Sequence, residues 1–387
     1  MAASSSNNHY NFTIQRQPLK IGKENIRPVS AEPTSKVERI HGLDAYRGVL
    51  MMLGVYLHAF LPFFGEFDRE PEATQWLIFT PFFAIRLFRM PAFFILAGFF
   101  AALLWVHRGP RQMLKNRYER IALPLLALML VIPPVAVFIV GLFEGDVSYA
   151  LSAVVEHALP NHEFHHLWFL YYLIWTVLIT SGLAYVMQRR RIAWPKASAW
   201  LRETFESPWR FVFVLGGLHF ICFMLLEWLE GPTGAQWIPR APALIYYLIF
   251  FALGWGLYMS RPNLSTVIHR AWALVLLGLI CTIGYLVARE ALGGFEGAPK
   301  DPEDSLENLG YWIAMQAASS VALFAFTRGF MGVFMRYVSG ESYFWRYISD
   351  SSYFVYLAYL FPCIGLPGLW KAWEAPVLLR FSTNVVL

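Results

Sequence analysis

The side chains in this chain best suited to chemistry are titratable or cationic groups set inside long apolar runs. His58 stands eleven residues after Arg47 in the stretch R-G-V-L-M-M-L-G-V-Y-L-H, residues 47–58. On a helix rising ~1.5 Å per residue, the imidazole sits about 16 Å deeper than the guanidinium, roughly half of a ~30 Å hydrocarbon core. Ionised groups at that depth cost about 2.5–3.5 kcal/mol even on mild insertion scales, so His58 is expected to face a protein interior or a wet cavity. A neutral imidazole that titrates near working pH is a natural general base for taking a proton from a hydroxyl. The same ring could instead act as a nucleophile. Asp44, three residues before Arg47, is placed to orient that arginine by an ion pair.

Two arginine pairs accompany it. Arg86 and Arg89 lie three apart on one face of the next apolar run, again well inside it, and call for anions or carbonyls opposite them. They could hold a negatively charged substrate, or pair with acidic neighbours and snorkel. Arg117 and Arg120 also share a face, and their planar forks suit phosphate or pyrophosphate, although a basic pair at the end of a span also serves as an anchor. The stretch His162-Glu163-Phe164-His165-His166-Leu167-Trp168 has the residue types of a zinc site. It lacks the i, i+4 histidine pair of zinc proteases and also reads as an interfacial aromatic belt, so no metal is assigned. His219, alone in mid-span, reads as a packing histidine. Cys222, Cys281 and Cys363 lie in apolar runs without paired or metal-ligand spacing and read as core residues.

The elements that must position these groups are membrane helices. Hydrophobic residues make up 57% of the chain and charged residues only 15%, against roughly 25% charged in an average soluble protein. The formal net charge of +5 is spread between apolar runs rather than gathered into a stripe, which argues for membrane topology and against a nucleic-acid partner. Residues 1–39 are rich in Ser, Asn, Pro, Lys and Glu and read as a disordered cytoplasmic tail without a secretory signal. Residues 40–387 read as one all-α, polytopic membrane helix bundle. Nine complete spans are expected at 47–64, 76–106, 121–143, 167–187, 211–228, 243–259, 271–287, 309–330 and 353–370. The apolar stretch 375–387 is too short to cross and reads as an interfacial segment or a partial tenth span. With the amino terminus in the cytoplasm, sixteen basic residues fall in inside loops, among them Arg108, Arg189, Arg261, Arg328 and Arg346. Five fall outside, including Arg289.

These motifs together resemble the acyltransferase-3 family of membrane O-acyltransferases, within it the branch acting on periplasmic glucans. The resemblance rests on G-L-D-A-Y-R-G (42–48), the Arg47 to His58 spacing and F-R-M-P-A-F-F-I-L-A-G-F-F (88–100). Arg117 and Arg120 before Pro124, H-L-W-F-L (166–170) and S-D-S-S-Y-F-V-Y-L-A-Y (349–359) complete it. It runs from about residue 39 to the end. It implies a ten-helix bacterial inner-membrane protein, multi-pass with a cytoplasmic amino terminus, that moves an acyl group from cytoplasmic acyl-coenzyme A to a sugar hydroxyl on the far side. The acyl-CoA is then a substrate, with no bound cofactor. Succinyl is favoured over acetyl because the buried arginines suit an anionic group, and the acceptor is a periplasmic glucan or another envelope glycan. Arg47 and His58 match the family's first-helix motif. Arg117 and Arg120 match its paired arginines, thought to engage the donor, and His166 and Trp168 are further substrate-site candidates. Arg86 and Arg89 would stabilise the succinyl carboxylate or the developing oxyanion. Relatives commonly carry histidine where Tyr359 stands, and the expected tenth helix is short. The alternative from another class is a proton-coupled secondary transporter or sugar-lipid flippase using the same buried charges. Transporters commonly show two matching halves, and no such repeat is visible here.

Overall fold

The computed structural model describes residues 40–67, 69–158, 165–226, 238–294, 301, 304–370 and 375–386, and these are helical with no strand among them. The tail at 1–39 and the His162 and Glu163 part of the histidine-rich loop lie outside the described residues.

Among the described residues, fifteen α-helices follow in chain order. α1 is His41–Phe60, and a 3₁₀ turn, Leu61–Phe63, carries it into α2, Phe64–Phe67. α3 is Glu72–Arg117, continued by a π-helical turn, Tyr118–Ala122, into α4, Leu123–Met129. α5 is Ile132–Glu144, α6 Val147–Ala153, α7 Trp168–Arg189, α8 Pro195–Glu206 and α9 Pro208–Leu226. α10 is Ala241–Met259, α11 Ala271–Ala291 and α12 Leu306–Tyr337. α13 is Tyr343–Ala358, α14 Leu360–Trp370 and α15 Val377–Val386.

Seven helical segments among the described residues are long and apolar enough to cross a membrane: His41–Phe67, Glu72–Met129, Trp168–Arg189, Pro208–Leu225, Ala241–Met259, Ala271–Ala291 and Leu306–Tyr337. The chain is therefore a multi-pass membrane protein, and the described residues do not confirm the expected count of nine spans. The expected third and ninth spans are each broken in two. Pro133 and Pro134 offer no N–H to the carbonyls of Met129 and Leu130, and the helix interrupts there between α4 and α5. Pro362 does the same for Ala358, where α13 gives way to α14 at Tyr359. The loop expected around Arg108–Arg120 is itself helical, and the turn between the arms of α3 is made at Gly109, whose φ of 80° is open to glycine, followed by Pro110. Arg328 and Arg289, expected in loops, are buried at 0% and 7% exposure within α12 and at the end of α11.

Two packing devices fix the walls of the central space. Gly98 of α3 and Gly254 of α10 face one another's helices so closely that a Cβ on either would collide with a backbone carbonyl, Phe251 O or Ile95 O. Small residues permit this approach, which membrane helices use in place of hydrophobic burial. Arg328 reaches from α12 to the carbonyls of Phe205 (3.1 Å), Glu206 (3.4 Å) and Thr266 (3.1 Å), tying the carboxyl end of α8 to the 3₁₀ turn Leu264–Ile268. A cation at carbonyls left open by a helix end answers both their lone pairs and the helix dipole.

The short last helix does not stand apart. α15 docks on the far end of α1: Arg380 pairs with Glu66, and Phe381 packs edge-on to Tyr56, Phe60 and Phe67. Asn384 Nδ2 donates to Ala59 O at 3.0 Å and approaches Cys363 O at 3.5 Å. The second of these is the carbonyl that Pro367 leaves without a helical donor.

Candidate active site

The predicted residues gather at two places joined by α1. Arg47 and His58 are eleven residues apart, which at 3.6 residues per turn is about three full turns, so both lie on one side of the helix. His58 falls four residues beyond Gly54, the middle of the His41–Phe67 segment, and so stands near its centre, displaced by about one turn towards the far end.

At the near end, Arg47 Nη2 lies 3.3 Å from Asp44, as their spacing predicts, and its guanidinium sits over the Phe100 ring at 5.2 Å. Arg117 ends α3 where the π-helical turn begins, and feels the charges of both Arg47 and Arg120. Its Nε is buried without a hydrogen-bond partner among the described residues. Arg47, Arg117 and Arg120 with Lys115 outnumber Asp44 and Glu119, the latter paired with Lys115 at 3.7 Å, and leave a net positive mouth; π-type distortions of this kind recur at functional sites.

At the far end is a cavity of about 240 Å³ lined by His58, Arg86, Arg89 and Trp168 together with residues of α9, α10, α11 and α12. The His58 ring is held by Nδ1, which lies 2.9 Å from Gly54 O and 3.1 Å from the Tyr359 hydroxyl. A carbonyl can only accept, so the contact with Gly54 requires the hydrogen on Nδ1, and Nε2 is left with its lone pair. That is the tautomer a general base needs.

Arg89 is 9% exposed, with its Nε buried and unbonded among the described residues. No carboxylate there lies within ion-pair distance of it, and the groups around its charge are the hydroxyls of Tyr359, Tyr356 and Tyr247. Its Nη1 lies against Gly54, where any Cβ would strike it, so the glycine is what admits the guanidinium beside the histidine turn. Arg86 is exposed at the rim of the same cavity, and the two arginines that share a face thus differ in depth. Pro91, also lining the space, has no N–H, so the Leu87 carbonyl on the same wall lacks its helical donor.

His166 is 4% exposed and sits behind His58, its ring centroid 6.4 Å from that ring and 5.2 Å from Tyr359. Tyr356 donates to the His166 carbonyl at 2.5 Å, which fixes this turn of chain against α13. Trp168, at the start of α7, lines the cavity and packs against Tyr247 at 5.5 Å. No group of three or more His, Cys, Asp or Glu able to hold a metal occurs among the described residues.

The sequence reading missed three participants. Tyr359 registers there only as a departure from the expected histidine, yet its hydroxyl touches the very nitrogen that orients His58. Gly54 carries no signal beyond being a glycine in an apolar run. His219 does behave as a satisfied, half-buried histidine, with Nδ1 2.8 Å from Ser320 Oγ and Nε2 3.4 Å from the Tyr246 hydroxyl, but it also lines the cavity.

A family model described as an acyltransferase domain, that of the acyltransferase-3 family, matches residues 40–386. Among curated proteins, a glucans biosynthesis protein C of Salmonella heidelberg is 29% identical over 237 residues, covering 59% of this chain and 60% of the relative. Its counterpart in Salmonella enteritidis is 29% identical over 159 residues, covering 40% of this chain and 41% of that protein. The alignments therefore span at most about 60% of the length of these relatives. No solved structure matches the chain. With a family match running through nearly all the described helices, the chain belongs to the acyltransferase-3 family.

Proposed function

We propose that this protein is a membrane-embedded O-acyltransferase that moves an acyl group, succinyl or acetyl, from cytoplasmic acyl-CoA to a hydroxyl of a periplasmic glucan or related envelope glycan. The observation that carries the reading is the setting of His58: Nδ1 engaged by the protein, Nε2 free, and the ring lining a cavity that also holds the uncompensated charge of Arg89. Family membership and the name of the Salmonella relatives support the reaction class and the glycan acceptor.

In this mechanism Nε2 of His58 takes the proton of the acceptor hydroxyl as its oxygen attacks the thioester carbonyl. The new C–O bond forms, the C–S bond breaks, and the proton passes from the imidazolium to the departing thiolate. Arg89 stabilises the oxyanion formed on the carbonyl oxygen, or the distal carboxylate of a succinyl group, from a site that needs no reorganisation. Arg47, Arg117 and Arg120 hold the phosphates of the donor at the near mouth, with Asp44 fixing Arg47. Arg86 draws the anionic group to the cavity rim, and His166 and Trp168 close the wall behind and beside His58.

The test uses membranes with wild type or His58→Ala, supplied with succinyl- or acetyl-CoA and a periplasmic glucan, following thiol release and ester on the sugar. Both products are expected from the wild type and neither from the variant. Ester formation undiminished in His58→Ala would overturn the assignment of the base.

A further inference from the structure

The two walls of the cavity differ in chemistry. Among the described residues, the charged lining residues are Arg86 and Arg89, both from α3, on the side of His58. The opposite wall, built by α9, α10 and α12, has no charged lining residue among those described. It presents His219, Tyr246, Tyr247 and Ser319 with Phe223 and Leu323 among them. Its polar groups are tied to one another across helices: His219 of α9 contacts Ser320 of α12 and Tyr246 of α10. Ser319 donates its hydrogen to Gln316 O at 2.9 Å, so its oxygen retains acceptor capacity. Flat rings among hydroxyls and a neutral imidazole match an uncharged ring that carries several hydroxyls, whose C–H faces lie on aromatic surfaces while its O–H groups exchange hydrogen bonds. A cavity of about 240 Å³ has room for such a ring, and it is open on one side, so the rest of an acceptor can lie outside it.

We infer that the His219–Tyr246–Ser319 wall is the acceptor subsite, binding a single neutral sugar residue of the acceptor and turning its hydroxyl towards Nε2 of His58. This deepens the acyl-transfer reading and rests on it. His219 here is a positioning residue: with its two ring nitrogens engaged by Ser320 and Tyr246, it holds the Tyr246 hydroxyl towards the acceptor ring and takes no proton in the reaction. An anionic donor is held by the arginine wall and a neutral acceptor by this one, so the two substrates are sorted by charge within one space.

The experiment is steady-state transfer from succinyl- and acetyl-CoA to a β-linked gluco-oligosaccharide, comparing wild type with His219→Phe, His219→Asn and Ser319→Ala in purified full-length protein. His219→Phe is expected to raise the acceptor KM about tenfold or more, with a much smaller change in the donor KM. His219→Asn, which keeps a donor and an acceptor, is expected to recover part of the loss. Ser319→Ala, a smaller change, is expected to raise the acceptor KM severalfold and decides the matter if His219→Phe does not accumulate. An unchanged acceptor KM in these variants, with the wild type active and His58→Ala inactive, overturns this subsite while leaving acyl transfer intact. Equal rises in donor and acceptor KM overturn it as well. A wild type that forms no ester with either donor overturns the acyl-transfer reading and this inference with it.

Discussion

At the scale of single residues, the site turns on what surrounds one imidazole. Gly54 supplies the carbonyl that sets the His58 tautomer and, by having no side chain, the room for Arg89. Gly54→Val would force the guanidinium away from the histidine turn. Transfer activity is expected to fall at least tenfold with thermal stability in detergent nearly unchanged, which a melting curve beside a rate assay would establish. Tyr359→Phe removes the hydroxyl oxygen that shares the Nδ1 hydrogen as a second acceptor, of the order of 1 kcal/mol, and leaves the Gly54 contact in place. A loss of about fivefold in kcat with unchanged KM for both substrates is expected, and Tyr359→His is expected to retain more activity than Tyr359→Phe.

At the scale of helices, the positioning devices are the glycine contact, the arginine staple and the docked tail. Gly254→Leu places a side chain where the Ile95 carbonyl now sits, so α3 and α10 must separate and carry Arg89 and Tyr247 apart. Loss of folded protein on size-exclusion chromatography is expected. Arg328→Leu leaves three carbonyls at the ends of α8 and the 3₁₀ turn without their charged donor, at about 1.5–3 kcal/mol for the first such bond and less for the others. Chemical denaturation in detergent is expected to show a stability loss of about 3 kcal/mol, only partly recovered by lysine, whose single ammonium cannot reproduce the fork. These helices also show where periodicity misleads. The runs at 121–143 and 353–370 are apolar enough to be read as single spans. Hydropathy does not register that Pro133 with Pro134, and Pro362, withdraw N–H groups, and the breaks at 130–131 and 359 follow from that chemistry.

At the scale of the whole molecule, one helix face connects a cationic mouth at Arg47, Arg117 and Arg120 with the cavity at His58. The mouth belongs on the cytoplasmic side if basic loops lie inside. Arg190→Cys is expected to react only with membrane-permeant thiol reagents in intact cells, and Glu70→Cys with impermeant ones. The reverse pattern would invert the assignment of donor and acceptor sides.

Composition and apolar runs by themselves determined an all-helical, multi-pass chain, because lipid leaves backbone groups no partner but their own helix. Spacing along a single helix determined the Asp44–Arg47 pair and the common face of Arg47 and His58, since those distances follow from helix geometry alone. What crosses between helices was decided only by tertiary structure. Tyr359 is 301 residues from His58 and His219 is 101 from Ser320, and no local pattern encodes such pairings. The same holds for depth: Arg86 and Arg89 share a face and a residue type, and packing around α3 leaves one at the rim and buries the other beside the histidine.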